Sequence, residues 1–174
     1  MDINYKELRI RNATLNDVTQ LQTWWNDGKV MAHAGFPNGL NITEEKIIHQ
    51  INQDNETKRR LILEFKSKSI GEMCYSQVNE NTVEIGIKIC NFEYQNQGLG
   101  RLYLSMLIQE LFKTYTKIIL DTDLENKRAQ HVYETLGFTK LRINVDSWKN
   151  QLNEFRSSVD YEITPEQFKS TLDY

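Results

Sequence analysis

The 174-residue sequence has little of what would mark an unusual setting or a metal centre. Cys74 and Cys90 are its only cysteines, too few for a disulfide framework, and with three histidines they show no metal-ligand spacing. A reducing cytosol and chemistry without a metal are the resulting expectations. Basic excess is also missing: the net charge of −3 argues against broad attraction to nucleic acid or to an anionic membrane. No run approaches the roughly 18 apolar residues of a membrane helix, and the amino terminus lacks a basic-then-apolar signal pattern. No nucleic-acid or membrane partner is therefore expected, and the cytoplasm is the default location. Repeats, low-complexity tracts and linkers are absent too, so residues 1–174 read as one domain, long enough to bury roughly 70% of its surface.

What is present is ordered periodicity. "ELRIRNA" alternates as a half-buried strand does, with Leu8 and Ile10 on one face and Arg9 and Arg11 on the other. Thr14 is placed to cap a helix with Leu15, Val18, Leu21 and Trp25 as its apolar stripe, and Thr43 to cap a second, "TEEKIIHQINQD". Between them "GKVMAHAGFPNGLN" is rich in turn formers. "RLILEF", "SIGEMCYSQV" and "NTVEIGIKI" follow as a strand meander. A helix to about Phe112, buried along Leu104, Leu107, Ile108 and Leu111, then precedes the strand "KIIL" ending at Asp121, which implies a parallel pair. Glu125 to Leu136 reads as another helix closed by Gly137, followed by strands in "TKLRINV" and "SSVDYEIT" and a short helix-like piece after Pro165. The class is mixed α/β.

The chemistry concentrates in "YQNQGLGRLYLSML", Tyr94 to Leu107, where Gly98 and Gly100 lie in a polar loop leading into a helix. Unpaired amides at a helix start form an anion site, and Arg101 adds a donor for an oxygen. A P-loop is excluded, because the second glycine is followed by Arg101 and Leu102 rather than by Lys and Ser or Thr. A dinucleotide fingerprint would use Asp121 as the ribose acid, but Tyr103 stands where its third glycine belongs.

"QNQGLG", Gln95 to Gly100, fits the QxxGxG signature of the GCN5-related N-acetyltransferases. "LDTDLENKRAQHVYETLGF" resembles that family's second half-motif, and with "LRIRNATLNDVTQLQTWWND" the resemblance spans nearly the whole chain. It is nearest to the branch related to ribosomal-protein N-acetyltransferases. The fold implied is a single-domain α/β structure: a mixed, mostly antiparallel sheet with a splayed parallel strand pair and helices on both faces. The cosubstrate implied is acetyl-CoA. Gln95, Asn96, Gln97, Gly98, Leu99, Gly100 and Arg101 would then hold its pyrophosphate, and Ile87, Lys88 and Ile89 would offer free backbone to its pantetheine arm. The resemblance further makes Asn126 a hydrogen-bonding partner of that arm, or simply a helix cap, Ala129 the small residue beside it, and Tyr133 the acid that protonates the departing thiolate.

Asn126, Ala129 and Tyr133 fall on one face of a helix by spacing alone. On "NTVEIGIKI", Glu84 points away from the apolar face of the strand, eleven residues before Gln95, where the resemblance places a general base; the alternatives are a solvated carboxylate and a base made of water. An amine acceptor must lose a proton before attack. Trp24, Phe36, Tyr75 and Trp148 are the candidate walls of the acceptor pocket, with Asp27 and Asp146 as holders of a cationic amine, whereas Trp25 belongs to the helix stripe and the core. The implied activity is direct acetyl transfer from acetyl-CoA to a primary amine, on a small molecule or a protein, by a chain that could form a homodimer. The competing reading is a non-catalytic acyl-CoA-binding module on the same fold.

Overall fold

In a computed structural model, which describes residues 1–173, eight strands form one mixed sheet flanked by helices. In chain order the elements are β1 (Asp2–Tyr5), β2 (Leu8–Asn12), α1 (Val18–Asn26), α2 (Gly28–Met31), α3 (Glu44–Asn52), β3 (Lys58–Phe65), β4 (Lys68–Asn79) and β5 (Thr82–Ile89). They continue with α4 (Leu99–Leu111), β6 (Lys117–Asp123), α5 (Lys127–Thr135), β7 (Thr139–Lys149) and β8 (Phe155–Ile163). The sheet order is β1-β2-β3-β4-β5-β6-β8-β7. Every neighbouring pair is antiparallel except β5 and β6.

Alternation along the strands sorts their residues onto two differently covered faces. Leu61, Leu63, Met73, Val83, Ile85, Ile118, Leu120, Val159 and Tyr161 share the face packed by α4 and α5, the larger of two cores. Ile62 faces the other way, into a smaller core built from α1 and α3 with Leu21, Trp24, Trp25 and Ile47. The register Ile62↔Glu72 and Glu72↔Lys88 puts Glu72 and Lys88 on this second face. Beyond it β7 is an edge strand with Leu141, Ile143 and Val145 exposed.

The parallel pair carries the feature that matters for function. Pairing runs only through Thr82↔Lys117, Val83↔Ile118 and Glu84↔Ile119, and then stops. From Ile85 and Leu120 onward the two strands splay, and the separating segments line a cavity.

Several expectations need correction. Thr14 opens a short 3-10 turn, Leu15–Asp17, before α1, so Leu15 is exposed rather than on the buried stripe. Trp24 is buried with Trp25 in the smaller core and is no free pocket wall. The turn-rich segment after α1 contains α2 and a 3-10 turn, Ala32–Ala34. After Pro165 the chain makes turns, not a helix. β1 was not foreseen at all.

Candidate active site

One cavity of about 960 Å³ follows the splay from the glycine loop to the far side of the sheet. At its outer end Gly98 caps α4 at φ +75°, in the left-handed region, and no side chain caps the helix. A Cβ on Gly98 or Gly100 would meet nothing within 4 Å, so there is open space beside the backbone at the start of α4. This is an anion cradle: free helix donors, a positive dipole end and room for a group to approach the backbone. The loop is tied to the sheet by Gln95, whose Nε2 donates to Ile89 O at 2.8 Å. Arg128, on α5, donates to Asn96 Oδ1 at 2.9 Å and to Gln95 Oε1 at 3.2 Å, which ties α5 to the loop, and both it and Arg101 line the cavity.

Ile87, Lys88 and Ile89 line the cavity where β5 has lost β6 as a partner, which leaves that edge of the strand free for an extended ligand. Asn126, Ala129 and Tyr133 line it from α5. Asn126 is also the cap of that helix, its side chain accepting from Ala129 N at 3.2 Å. Tyr133 is fixed by ring contacts with Phe138 and Tyr161 at 5.8 and 5.6 Å. Its hydroxyl makes no hydrogen bond among the described residues and lies at the cavity wall. Burial, and then the charge of Asp121, push the Tyr133 phenol well above its ordinary range, so it keeps its proton at neutral pH.

The other sequence candidates fall apart in space. Glu84 sits on the last paired rung before the splay and is not among the cavity-lining residues. Two acids of β6 line the cavity, Asp121 and Asp123; Arg156 closes Asp123 at 2.8 Å, which leaves Asp121, two residues past Ile119 on the same face, as the one without an ion pair among the described residues. It is accessible from the cleft, yet loss of hydration and the facing Asp160 raise its carboxyl above the usual range. Burial, Asp121 and Asp160 raise Glu84 as well.

Of the proposed pocket walls, Trp148 lines the cavity, and its ring occupies the space a side chain on Gly35 would need, 2.4 Å from that Cβ position. Gln151, just beyond, holds the loop after α2 through bonds to Gly35 O, Asn38 N and Gly39 O. Phe36 and Tyr75 stand outside the lining, as does Gln97, which bonds Glu93 O. Asp27 caps α2 through Lys29 N, and neither it nor Asp146 lines the cavity. Burial pushes the thiols of Cys74 and Cys90 up, so neither is a ready thiolate nucleophile. Among the described residues no cluster of His, Cys, Asp and Glu could hold a metal ion, and no helix is long and apolar enough to cross a membrane.

Residues 7–139 match the family model described as "Acetyltransferase (GNAT) domain". The chain belongs to the GNAT acetyltransferase family. No curated protein matches it in sequence. Among solved structures it is similar to the spermidine N-acetyltransferase of Vibrio cholerae in complex with CoA and spermine, at 19% identity and TM-score 0.83, over 94% of this chain and 98% of that one. It is similar also to the ribosomal L7/L12 alpha-N-protein acetyltransferase RimL in complex with coenzyme A, at 12% identity and TM-score 0.83, again over 94% and 98%. A third is the microcin C7 self-immunity acetyltransferase MccE in complex with acetyl-CoA and AMP, at 17% identity and TM-score 0.78, over 92% and 93%. At these identities the likeness is one of fold.

Proposed function

We propose that the protein transfers the acetyl group of acetyl-CoA to a primary amine by direct attack on the thioester. The carrying observation is a single cleft with an anion cradle at one end, a free strand edge along its length, and Tyr133 and Asp121 beyond it. This arrangement fits CoA chemically. The amides at Gly98 to Arg101, with Arg101 and Arg128, suit its phosphates, and the β5 edge suits the amide-bearing pantetheine arm. Bound there, acetyl-CoA supplies an activated acyl group.

The chain's own residues then handle two protons. Asp121 accepts one from the attacking amine, directly or through water, because among the acids lining the cleft it is the one without an ion-pair partner among the described residues, and its raised pKa makes it a better base than an ordinary carboxylate. The nitrogen–carbon bond forms, the second nitrogen proton passes to water, the carbon–sulfur bond breaks, and the Tyr133 hydroxyl gives its proton to the departing sulfur before being reprotonated from solvent. This assignment moves the base from Glu84, which lies off the cleft, to Asp121. The raised thiols of Cys74 and Cys90 support transfer without an acyl-enzyme.

Thiol release from acetyl-CoA, measured against a panel of amines, tests the reading. Wild-type protein is expected to release thiol only with an acceptor present. Asp121→Asn should lower kcat by about 10²- to 10⁴-fold, whereas Glu84→Gln should stay within a few-fold. The reverse ranking would return the base to Glu84.

A further inference from the structure

The acceptor side of the cleft carries charge of both signs, and each charge can be counted against its partners. Lys88 lines the cleft from β5, 28% exposed, with Nζ 3.4 Å from Glu72 Oε1 and 3.3 Å from Met31 Sδ. Glu72 is buried beneath it. Burial alone would raise that carboxyl, but Arg60 and Lys88, with the Trp25 Nε1–H bond at 2.8 Å, outweigh burial and keep it ionised. One negative charge thus faces two positive ones. Arg60 makes the shorter contact, 2.7 Å, and is further held 4.4 Å over the Trp25 ring. The group carries a surplus of one positive charge, and of its two cations Lys88 is the one that lines the cleft. Lys29 and His33 line the cavity as well.

The strands across the splay carry the opposite sign. Asp123 is closed by Arg156 at 2.8 Å, and Asp160 is engaged by Arg142 at 2.6 Å. Asp121 has no ion-pair partner among the described residues. From β5 the cleft is thus lined by Lys88, which shares its one counterion with Arg60, and from β6 by an anion with no ion-pair partner among the described residues. Lys88 does not belong to the phosphate cradle, because the even-numbered residues of β5 face away from α4.

We propose that the acceptor is a zwitterionic amine, an amino acid or amino-acid-like molecule whose amine is directed at Asp121 and whose carboxylate pairs with Lys88. This rests on the acetyltransferase reading above. A polyamine meets the Asp121 requirement but brings further ammonium groups to a cleft with a fixed cation, a like-charge contact that disfavours it. The Trp148 ring offers a wall to the apolar remainder of the acceptor.

The test is steady-state turnover of α- and ω-amino acids beside their methyl esters and spermidine, in wild type, Lys88→Met and Lys88→Arg, with acetyl-CoA binding measured separately by calorimetry. Wild type should favour amino acids over their esters by about tenfold or more in kcat/KM. Lys88→Met leaves Glu72 and Arg60 as a balanced pair, and it should erase that preference while acetyl-CoA affinity stays within about twofold. Lys88→Arg should retain the preference. Turnover of spermidine or esters in preference to amino acids overturns the proposal and leaves the acetyltransferase reading standing, as does a Lys88→Met defect confined to acetyl-CoA binding. Acetyl-CoA binding with no turnover of any acceptor overturns both.

Discussion

Replacing Glu72 by Gln would remove the one anion that holds two cations against the smaller core. The Glu72 side chain is 5% exposed, while Arg60 and Lys88 are 26% and 28% exposed. A glutamine oxygen can still accept from Trp25 Nε1, but its amide hydrogens cannot replace a carboxylate facing a guanidinium and an ammonium. Breaking a buried pair from one side costs about 3–5 kcal/mol, because the remaining charge is left uncompensated. For a domain of this size each kcal/mol shifts Tm by about 2–4 °C, so Glu72→Gln should lower Tm by about 6–20 °C near pH 7. Lys88→Met, which removes the longer and more exposed contact, should cost no more than about 1 kcal/mol. The pH dependence carries a sign. The cations hold Glu72 below its ordinary range, so its contribution is present above the unfolded value, about 4.3, and is lost as pH falls through the folded value. The gap between wild type and variant should therefore narrow in acid. Thermal unfolding followed by circular dichroism at several pH values measures this. A Glu72→Gln protein within about 2 °C of wild type at pH 7 would refute the claim that the carboxylate anchors the cluster.

Asp121 should show the opposite linkage. Its folded pKa is raised, so its favourable contribution is present below the unfolded value and is lost as pH rises through the folded value. Asp121→Asn should then match or exceed wild-type Tm at neutral pH, by no more than about 3 °C since the group reaches solvent, even as activity collapses; a lower Tm would contradict this. The wild-type rate should also rise with pH through the Asp121 pKa, and the Asn variant should lose that limb of the profile. Gly100→Ala should separate binding from stability. The added methyl meets no atom of the protein, and alanine suits a helix better than glycine by about 0.5–1 kcal/mol, so Tm should hold or rise while calorimetry shows acetyl-CoA affinity reduced by about tenfold or more.

The strands were legible because β2 and β5 alternate and β3, β4 and β6 are short apolar-rich runs set off by turn formers or a helix, and each expected segment lies within a residue or two of its observed bounds. β1 was not, since Asp2–Tyr5 is too short to show a period and is a strand through its pairing with β2. Trp24 and Trp25 looked separable as pocket and core, but α1 is covered by α3 on one side and the sheet on the other, which buries both rings. The glycine loop and the face of Asn126, Ala129 and Tyr133 were readable because each depends on local spacing. That Glu84 lies off the cleft while Asp121 lines it was not readable locally. It turns on where β5–β6 pairing ends, and that rung belongs to a relation between two strands rather than to either sequence. Alternation on "KIILDTD" puts Ile119, Asp121 and Asp123 on one face, a signal that gains meaning only once the splay is located. The Glu72 cluster draws on α1, β3, β4 and β5, so no linear pattern announces it.

The most direct measurement of the central claim is acceptor-dependent release of CoA thiol, with the acetylated amine identified by mass spectrometry, in wild type and Tyr133→Phe under conditions where chemistry limits the rate. Wild type should form one acetylated amine per thiol released, and Tyr133→Phe should bind acetyl-CoA normally while its kcat falls by about 10²-fold or more. Tight acetyl-CoA binding without acceptor-dependent thiol release, or a Tyr133→Phe protein as fast as wild type, would contradict the account.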